Sequence, residues 1–444
     1  MFIDTIAAIS SGAKINQPIG IVRMSGSDCI KILKKIFKGN IPPFEPNKKF
    51  IQYGYIYDQD KVVDEVLVMI YYANQTYTGE NMIEINCHGG IVVTNWILEL
   101  LLSNGARLAQ NGEFSQRAFL NGKIDLTKAD AIHDMIFAQT KSQVELSANK
   151  FSMKTYNYLD SIIKKLEFHI ANLEANIDYP EYLDIEDINN EKFKFALIEI
   201  SNKLENMIQK SQRNIKIFEG IKIVILGKPN VGKSSLLNAL LKQERAIVTE
   251  IEGTTTDLIE SFIQIDNILF KIIDTAGIRQ AKNKIEQIGI QKGLQYLEEC
   301  DIVLHLIDDQ PLNEYDFQIQ IKAEQFNKKY IKVKNKADID TDPELINISA
   351  LNNQIEQLEN MLVSDYKDID YSAQDSINNI RQLSLVRNAK ASIDEAIEAL
   401  EMGMTPDVVI IDVNKAWESL KEITGDVNRE DLLDALFKNF CLGK

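Results

Sequence analysis

A chain of 444 residues, 45% hydrophobic and 26% charged, has the make-up of an ordinary soluble globular protein with two to four domains. No apolar run approaches the ~18 residues of a membrane span, and the opening MFIDTIAAISSGAK lacks a basic segment ahead of its apolar residues, so no secretory leader is expected. The formal net charge of −16 argues against a protein that grips nucleic acid by itself; it favours small ligands, or a complex in which another subunit holds the polyanion.

Residues 1–120 read mainly as short strands separated by turns: IGIVRMSG, IQYGYIY, DEVLVMIYY and MIEINCHGG. IVVTNWILELLLSNG interrupts them as a helix ending at Gly105. From 127 to 219 the periodicity is helical: SIIKKLEFHIANLEANI puts Ile162, Leu166, Ile170 and Leu173 on one stripe. Pro180 breaks that helix, and a second covers 190–218. IKIVILGKPNVGKSSLLNALL then switches to a buried strand, a loop and a helix, and strand and helix patterns alternate to about residue 365, as in an α/β domain with a mostly parallel sheet. After 376 the chain is helical again, and Asn428 is positioned to cap a last helix, NREDLLDALFKNF. The expected fold class is multidomain α+β with an inserted α/β domain. Its parts are a β-rich N-terminal domain (1–120), the first part of a helical domain (121–215), the α/β domain (216–370) and the second helical part (371–444). Four cysteines, at 29, 87, 300 and 441, show neither CxxC nor Cys/His spacing, so a disulfide framework or zinc site is not expected and the cytosol is the natural compartment.

GKPNVGKS (227–234) matches G-x-x-x-x-G-K-[ST] and lies between a strand and a helix, where backbone N–H groups and a helix N-terminus can cradle phosphate. Asn230, Val231, Gly232, Lys233, Ser234 and Ser235 are the expected phosphate contacts. Lys233 would reach the β- and γ-phosphates, and the Ser234 hydroxyl would ligate Mg²⁺. IEGTTTD (251–257) offers Thr255 as a second Mg²⁺ hydroxyl, within the switch run Thr249, Glu250, Ile251, Glu252, Gly253, Thr254 and Thr255. FKIIDTAG (270–277) ends a strand on Asp274, Thr275, Ala276 and Gly277; Asp274 can hold a Mg²⁺-bound water and the Gly277 N–H can sense the γ-phosphate. IKVKNKAD (331–338) supplies Asn335, Lys336, Ala337 and Asp338. The Asp338 carboxylate can accept from the N1–H and 2-amino groups of guanine, a donor pair that adenine lacks, so the expected nucleotide is GTP. INISAL (346–351) adds base contacts at Ser349 and Ala350. Ile278 stands where Ras-like GTPases carry the water-orienting glutamine, so another group must do that work; Glu286 is a candidate, and an exposed helix-start carboxylate is the plain alternative.

Beyond the nucleotide segments, DTIAA, PIGIVRMSG, TGENMIEINCHGG, GEFSQRAFLNGKIDLTKADAI, DTAGIR with IEQIGI, and ITGDV with the closing DLLDALFKNFCLGK resemble the bacterial MnmE (TrmE) family of tRNA modification GTPases along the whole chain. The resemblance implies a cytoplasmic homodimer working with the flavoprotein MnmG, which carries FAD, in a heterotetramer or larger complex with tRNA held largely by that partner. Together they add a carboxymethylaminomethyl or aminomethyl group at C5 of a wobble uridine. The resemblance further implies that the carbon comes from a tetrahydrofolate derivative, 5-formyl- or 5,10-methylene-tetrahydrofolate. The family's folate contacts fall on Arg23, Glu84, Lys123 and Lys444; a carboxylate suits the adjacent N–H donors of a pterin, and the cations suit the carboxylates of its glutamate tail. Cys441 carries over as a functional thiol, with simple packing as the alternative. The resemblance also implies K⁺ held by Asn230, Thr249, Ile251 and Thr254, supplying charge where other GTPases use an arginine finger and drawing two GTPase domains together. Thr256, Leu351 and the segments SSGAKINQPIG and DYPEYLDIED depart from the family pattern without removing a proposed ligand. A regulatory or ribosome-assembly GTPase without modification chemistry is the competing reading.

Overall fold

The computed structural model describes residues 4–12, 15–43, 45, 48–73, 75–151, 153–178, 190–242, 246–247, 261–273, 294–367, 369, 373–425, 437, 440 and 443. They fall into two compact units, Met1–His133 with Trp417–Lys444, and Asp134–Ala416.

The first unit is built on seven strands: β1 (Ile6–Ile9), β2 (Ile19–Ser25), β3 (Phe37–Gly39), β4 (Lys49–Asp58), β5 (Lys61–Tyr71), β6 (Met82–His88) and β7 (Arg107–Leu108). They form one sheet in the order β3-β4-β5-β6-β2-β1-β7, antiparallel except for β7 beside β1. Alternation along each strand assigns its faces. Val22 and Met24 on β2 and Ile83 and Ile85 on β6 enter a core with Ile32, Leu33, Ile97 and Leu101 of α1 (Cys29–Ile36) and α2 (Ile91–Ser103). Arg23 and Glu84 therefore belong to the other face, as cross-strand partners in the β2–β6 ladder. Helix α1 was not anticipated from sequence, although Cys29, Ile32, Leu33 and Ile36, all buried, repeat at helical spacing; eight residues make a short signal among strands. Helices α3 (Glu113–Leu120) and α4 (Leu126–Phe137) follow. Arg117 of α3 is fully buried, 2.8 Å from Asp4 Oδ1, 2.9 Å from Glu113 Oε1 and 3.2 Å from Glu80 Oε2, the company a desolvated guanidinium requires. Phe437 and Phe440 pack with Ala118, Ile124, Leu126, Ala129 and Ile132, so the end of the chain is folded into this unit. A Cβ on Gly112, at φ +69°, would come within 2.4 Å of the Phe437 carbonyl.

The second unit contains α5 (Lys141–Phe151), α6 (Lys154–Asp178) and α7 (Asn190–Glu219), with Ile162, Leu166, Ile170 and Leu173 of the predicted α6 stripe all buried. An α/β segment follows: β8 (Ile221–Gly227), α8 (Lys233–Lys242), β9 (Ala246–Ile247), β10 (Ser261–Ile265), β11 (Ile268–Ile272), β12 (Ile302–Ile307), α9 (Glu314–Gln325), β13 (Lys329–Lys334), β14 (Ile346–Asn347) and α10 (Glu356–Val363). Its sheet order is β14-β13-β12-β8-β11-β10-β9, parallel from β14 to β11. Alternate residues of β8 feed two cores. Ile223 and Ile225 meet Leu236, Leu240 and Leu358; Val224 and Leu226 meet Leu297, Ile319 and Ala323. Helices α11 (Ile380–Glu401) and α12 (Pro406–Thr424) are the last regular elements among the described residues, and α11 lies along α7, with Ser201 Oγ donating to Asp394 Oδ1 at 2.6 Å. Helical segments before and after the α/β part thus pack together. Among the described residues no helix is long and apolar enough to cross a membrane. Pro180 and Asn428 lie outside them.

Candidate functional site

The C-terminal edge of the parallel sheet in the second unit gathers the described nucleotide residues, where ligands of α/β sheets bind. β8 ends on Gly227 at φ +148°, and a Cβ there would sit 2.3 Å from the Leu306 carbonyl. Gly232, at φ +102°, has the Asn335 Nδ2 atom 2.1 Å from its Cβ position, so only glycine fits. Between them Asn230 takes a left-handed conformation (φ +62°), Val231 is buried, and α8 begins at Lys233 with Ser234 exposed in its first turn. The Lys233 ammonium folds over the loop and donates to the carbonyls of Gly227 (2.8 Å) and Lys228 (2.6 Å).

β13 delivers Asn335 to the same edge, 4% exposed. Its Nδ2 donates to the Val231 carbonyl at 2.8 Å, and its Oδ1 accepts from the Ala350 N–H at 3.1 Å. One amide thereby joins the phosphate loop to the 349–350 segment. Asp338 is exposed, and its Oδ1 accepts from Ser349 Oγ at 2.8 Å, while the Ala337 N–H donates to the Ile348 carbonyl at 3.0 Å. Lys336, at φ +65°, places its ammonium 3.0 Å from Asp308 Oδ2. Burial works against charge on Asp308, but Lys336 and the Gln310 N–H hold its carboxyl below the usual range. Thr249, Glu250, Ile251, Glu252, Gly253, Thr254, Thr255, Asp274, Thr275, Ala276, Gly277 and Glu286 lie outside the described residues, as do Cys441 and Lys444.

A second set of residues meets in the first unit. Arg23 donates to Glu84 Oε1 through Nε (2.8 Å) and stands 2.7 Å from it through Nη2; its Nη1 donates to the Gly443 carbonyl at 3.0 Å. Ser10 Oγ donates to that same carbonyl at 3.0 Å. The guanidinium also lies 5.7 Å from the centre of the Phe114 ring. Burial and the neighbouring Glu84 carboxylate push the Tyr71 phenol above its ordinary pKa. Lys123 is exposed beside the 76–81 loop, its Cε 3.1 Å from where a Gly79 Cβ would be. Ser10, Tyr71, Phe114 and the Gly443 carbonyl were not singled out from sequence. Their only local signal is proximity to quoted motifs, because long-range folding assembles them. The described cysteines are no reactive set: burial pushes the Cys87 and Cys300 thiols up to about 11 and Cys29 well above its usual value.

Two family models match the chain, one described as the MnmE helical domain over residues 126–441 and one as the GTP-binding protein TrmE N-terminus over residues 5–123. Among curated relatives, the tRNA modification GTPase MnmE of Mycoplasma mobile is 50% identical, with 99% of this chain and 100% of that protein aligned. The protein of the same name from Mycoplasmopsis pulmonis is 47% identical, over 99% and 100% of the two chains. That of Mycoplasmopsis synoviae is 45% identical, over 99% and 98%.

Proposed function

Because the chain belongs to the MnmE (TrmE) family of tRNA modification GTPases, we propose that it hydrolyses GTP and that this hydrolysis serves the modification of tRNA wobble uridines. The observation that carries the nucleotide reading is Asn335, whose single amide ties the phosphate loop at Val231 to Ala350 in the base-side loop. Gly227 and Gly232 let the loop close against the Leu306 carbonyl and the Asn335 amide, which fixes the backbone conformation that a phosphate loop needs. Lys233, held by the Gly227 and Lys228 carbonyls, reaches the β- and γ-phosphates, and Asp338 accepts from the guanine edge while Ser349 orients it. Ser234 and Thr255 would hold Mg²⁺ and Asp274 a water bound to it; the ion would supply positive charge at the phosphates. Asn230, Thr249, Ile251 and Thr254 would hold K⁺, which would supply charge at the phosphates, and Glu286 would orient the attacking water where Ile278 replaces the glutamine.

In the first unit Glu84 would accept from the N–H donors of a tetrahydrofolate ring, and the Arg23 guanidinium orients that carboxylate; an acceptor held in place on the sheet supports the folate reading. Lys123 and Lys444 take the glutamate tail, Cys441 provides a thiol at the same chain end, and the bound folate supplies the one-carbon unit. The working assembly is a cytoplasmic homodimer with the flavoprotein MnmG, organised as domains 1–120, 121–215, 216–370 and 371–444. Mass spectrometry of wobble uridines from cells lacking the protein is the test. Loss of the C5-substituted nucleosides is expected; unchanged nucleosides would refute the modification reading and leave a GTPase switch.

A further inference from the structure

Behind the phosphate loop lies a buried polar chain for which the nucleotide-binding motifs have no use. Lys228, second residue of GKPNVGKS, reaches back to α9, with Nζ 3.0 Å from Asp316 Oδ2 and donating also to the Pro311 carbonyl. Asp316 is 2% exposed and has several partners. Its Oδ2 accepts from the Asn313 N–H at 2.8 Å, half of a capping box completed by Asn313 Oδ1, which accepts from the Asp316 N–H at 3.1 Å. Its Oδ1 lies 2.9 Å from His305 Nε2, and His305 Nδ1 lies 2.6 Å from the Tyr330 hydroxyl. His305, 1% exposed, sits on β12 opposite Leu226 of β8, one residue before the loop begins; Tyr330 is on β13. The Asp316 carboxylate thus joins α9, the phosphate loop and β12, and His305 extends the link to β13.

The chain also runs forward. The Lys228 carbonyl is one of the two that receive the Lys233 ammonium, at 2.6 Å. A carboxylate this deeply buried is costly unless its partners are held in place, and the same low dielectric that makes it costly makes it a stiff anchor. We infer that Asp316, backed by His305 and Tyr330, is a positioning residue for Lys233, acting through Lys228 to hold the loop carbonyls that set where the ammonium stands.

Lys228→Met, Lys228→Arg and Asp316→Asn in the full-length chain test this. The methionine keeps the stem but removes the charge; arginine keeps the charge and reaches the same carboxylate. Because Lys233 serves the β- and γ-phosphates, misplacing it weakens triphosphate more than diphosphate. Lys228→Met is expected to lower kcat/KM for GTP about tenfold and to weaken a non-hydrolysable GTP analogue at least threefold more than GDP, with Lys228→Arg recovering most of both. Asp316→Asn, which retains a capping acceptor, is expected to show the same ratio and stands in if Lys228→Met does not fold. Equal weakening of the two nucleotides, a shifted melting temperature with unchanged kcat/KM, or failure of arginine to rescue would each reduce the chain to a packing feature and overturn the inference.

Discussion

Replacing Asn335 by alanine removes a side chain that bridges the phosphate loop and the base-side loop. Two bonds are lost, to the Val231 carbonyl at 2.8 Å and from the Ala350 N–H at 3.1 Å, and both groups belong to buried residues. In the nucleotide-free protein the two loops can relax apart and hydrate those groups. With a nucleotide clamped between them they cannot, so the cost falls on the bound state. At about 1 kcal/mol per net hydrogen bond, the loss is about 2 kcal/mol. That corresponds to ~30-fold weaker binding. Fluorescent GDP and GTP analogues titrated into purified protein measure it directly. Since Asn335 bonds only backbone in this arrangement, guanine and xanthine nucleotides should weaken equally. Asp338→Asn, by contrast, should turn preference from GTP towards XTP, because the amide donates where the carboxylate accepted. An Asn335→Ala protein that binds GDP within threefold of wild type, or that loses guanine affinity alone, would refute the bridging argument.

Glu84→Gln should weaken 5-formyl-tetrahydrofolate binding at least tenfold in calorimetry while leaving GDP affinity unchanged, since the two residue sets lie in different units; parallel losses would show that the substitution merely unfolds the chain. GTP turnover should rise several-fold in KCl over NaCl at equal ionic strength, and equal rates would count against a K⁺ ligand at Asn230. Burial, with Lys165 nearby, lowers the pKa of His169, which is half-buried against Phe193. The unfolded residue titrates near ~6.5, so the unfolded chain takes up the extra proton first, and stability present above that pH is lost as pH falls through it towards the folded value. The denaturation midpoint should therefore drop between neutral and mildly acid pH, and His169→Phe should flatten that slope; an unchanged slope would remove His169 as a contributor.

The first turn of the nucleotide site was readable because it is local. From Gly227 to Ser234 the groups proposed to face phosphate are consecutive backbone N–H groups and the side chains of the same short run, and the strand and helix on either side follow from apolar periodicity. The α6 stripe was readable for the same reason. What strand pairing and packing decide is different in kind. Arg23 and Glu84 are 61 residues apart, and only the β2–β6 register makes them partners. The Gly443 carbonyl reaches Ser10 and Arg23 across more than 400 residues because Phe437 and Phe440 bury themselves against α3 and α4. Lys228 occupies an x position of the G-x-x-x-x-G-K-[ST] pattern, and only α9 brings Asp316 to it; Asn335 stands among the nucleotide residues in sequence, and only the fold gives it its two backbone bonds. Sequence by itself determined which chemical groups the protein owns and the secondary structure that carries them, since both depend on near neighbours. Tertiary structure alone decided which groups face one another, because burial of apolar surface sets those meetings and is indifferent to separation along the chain.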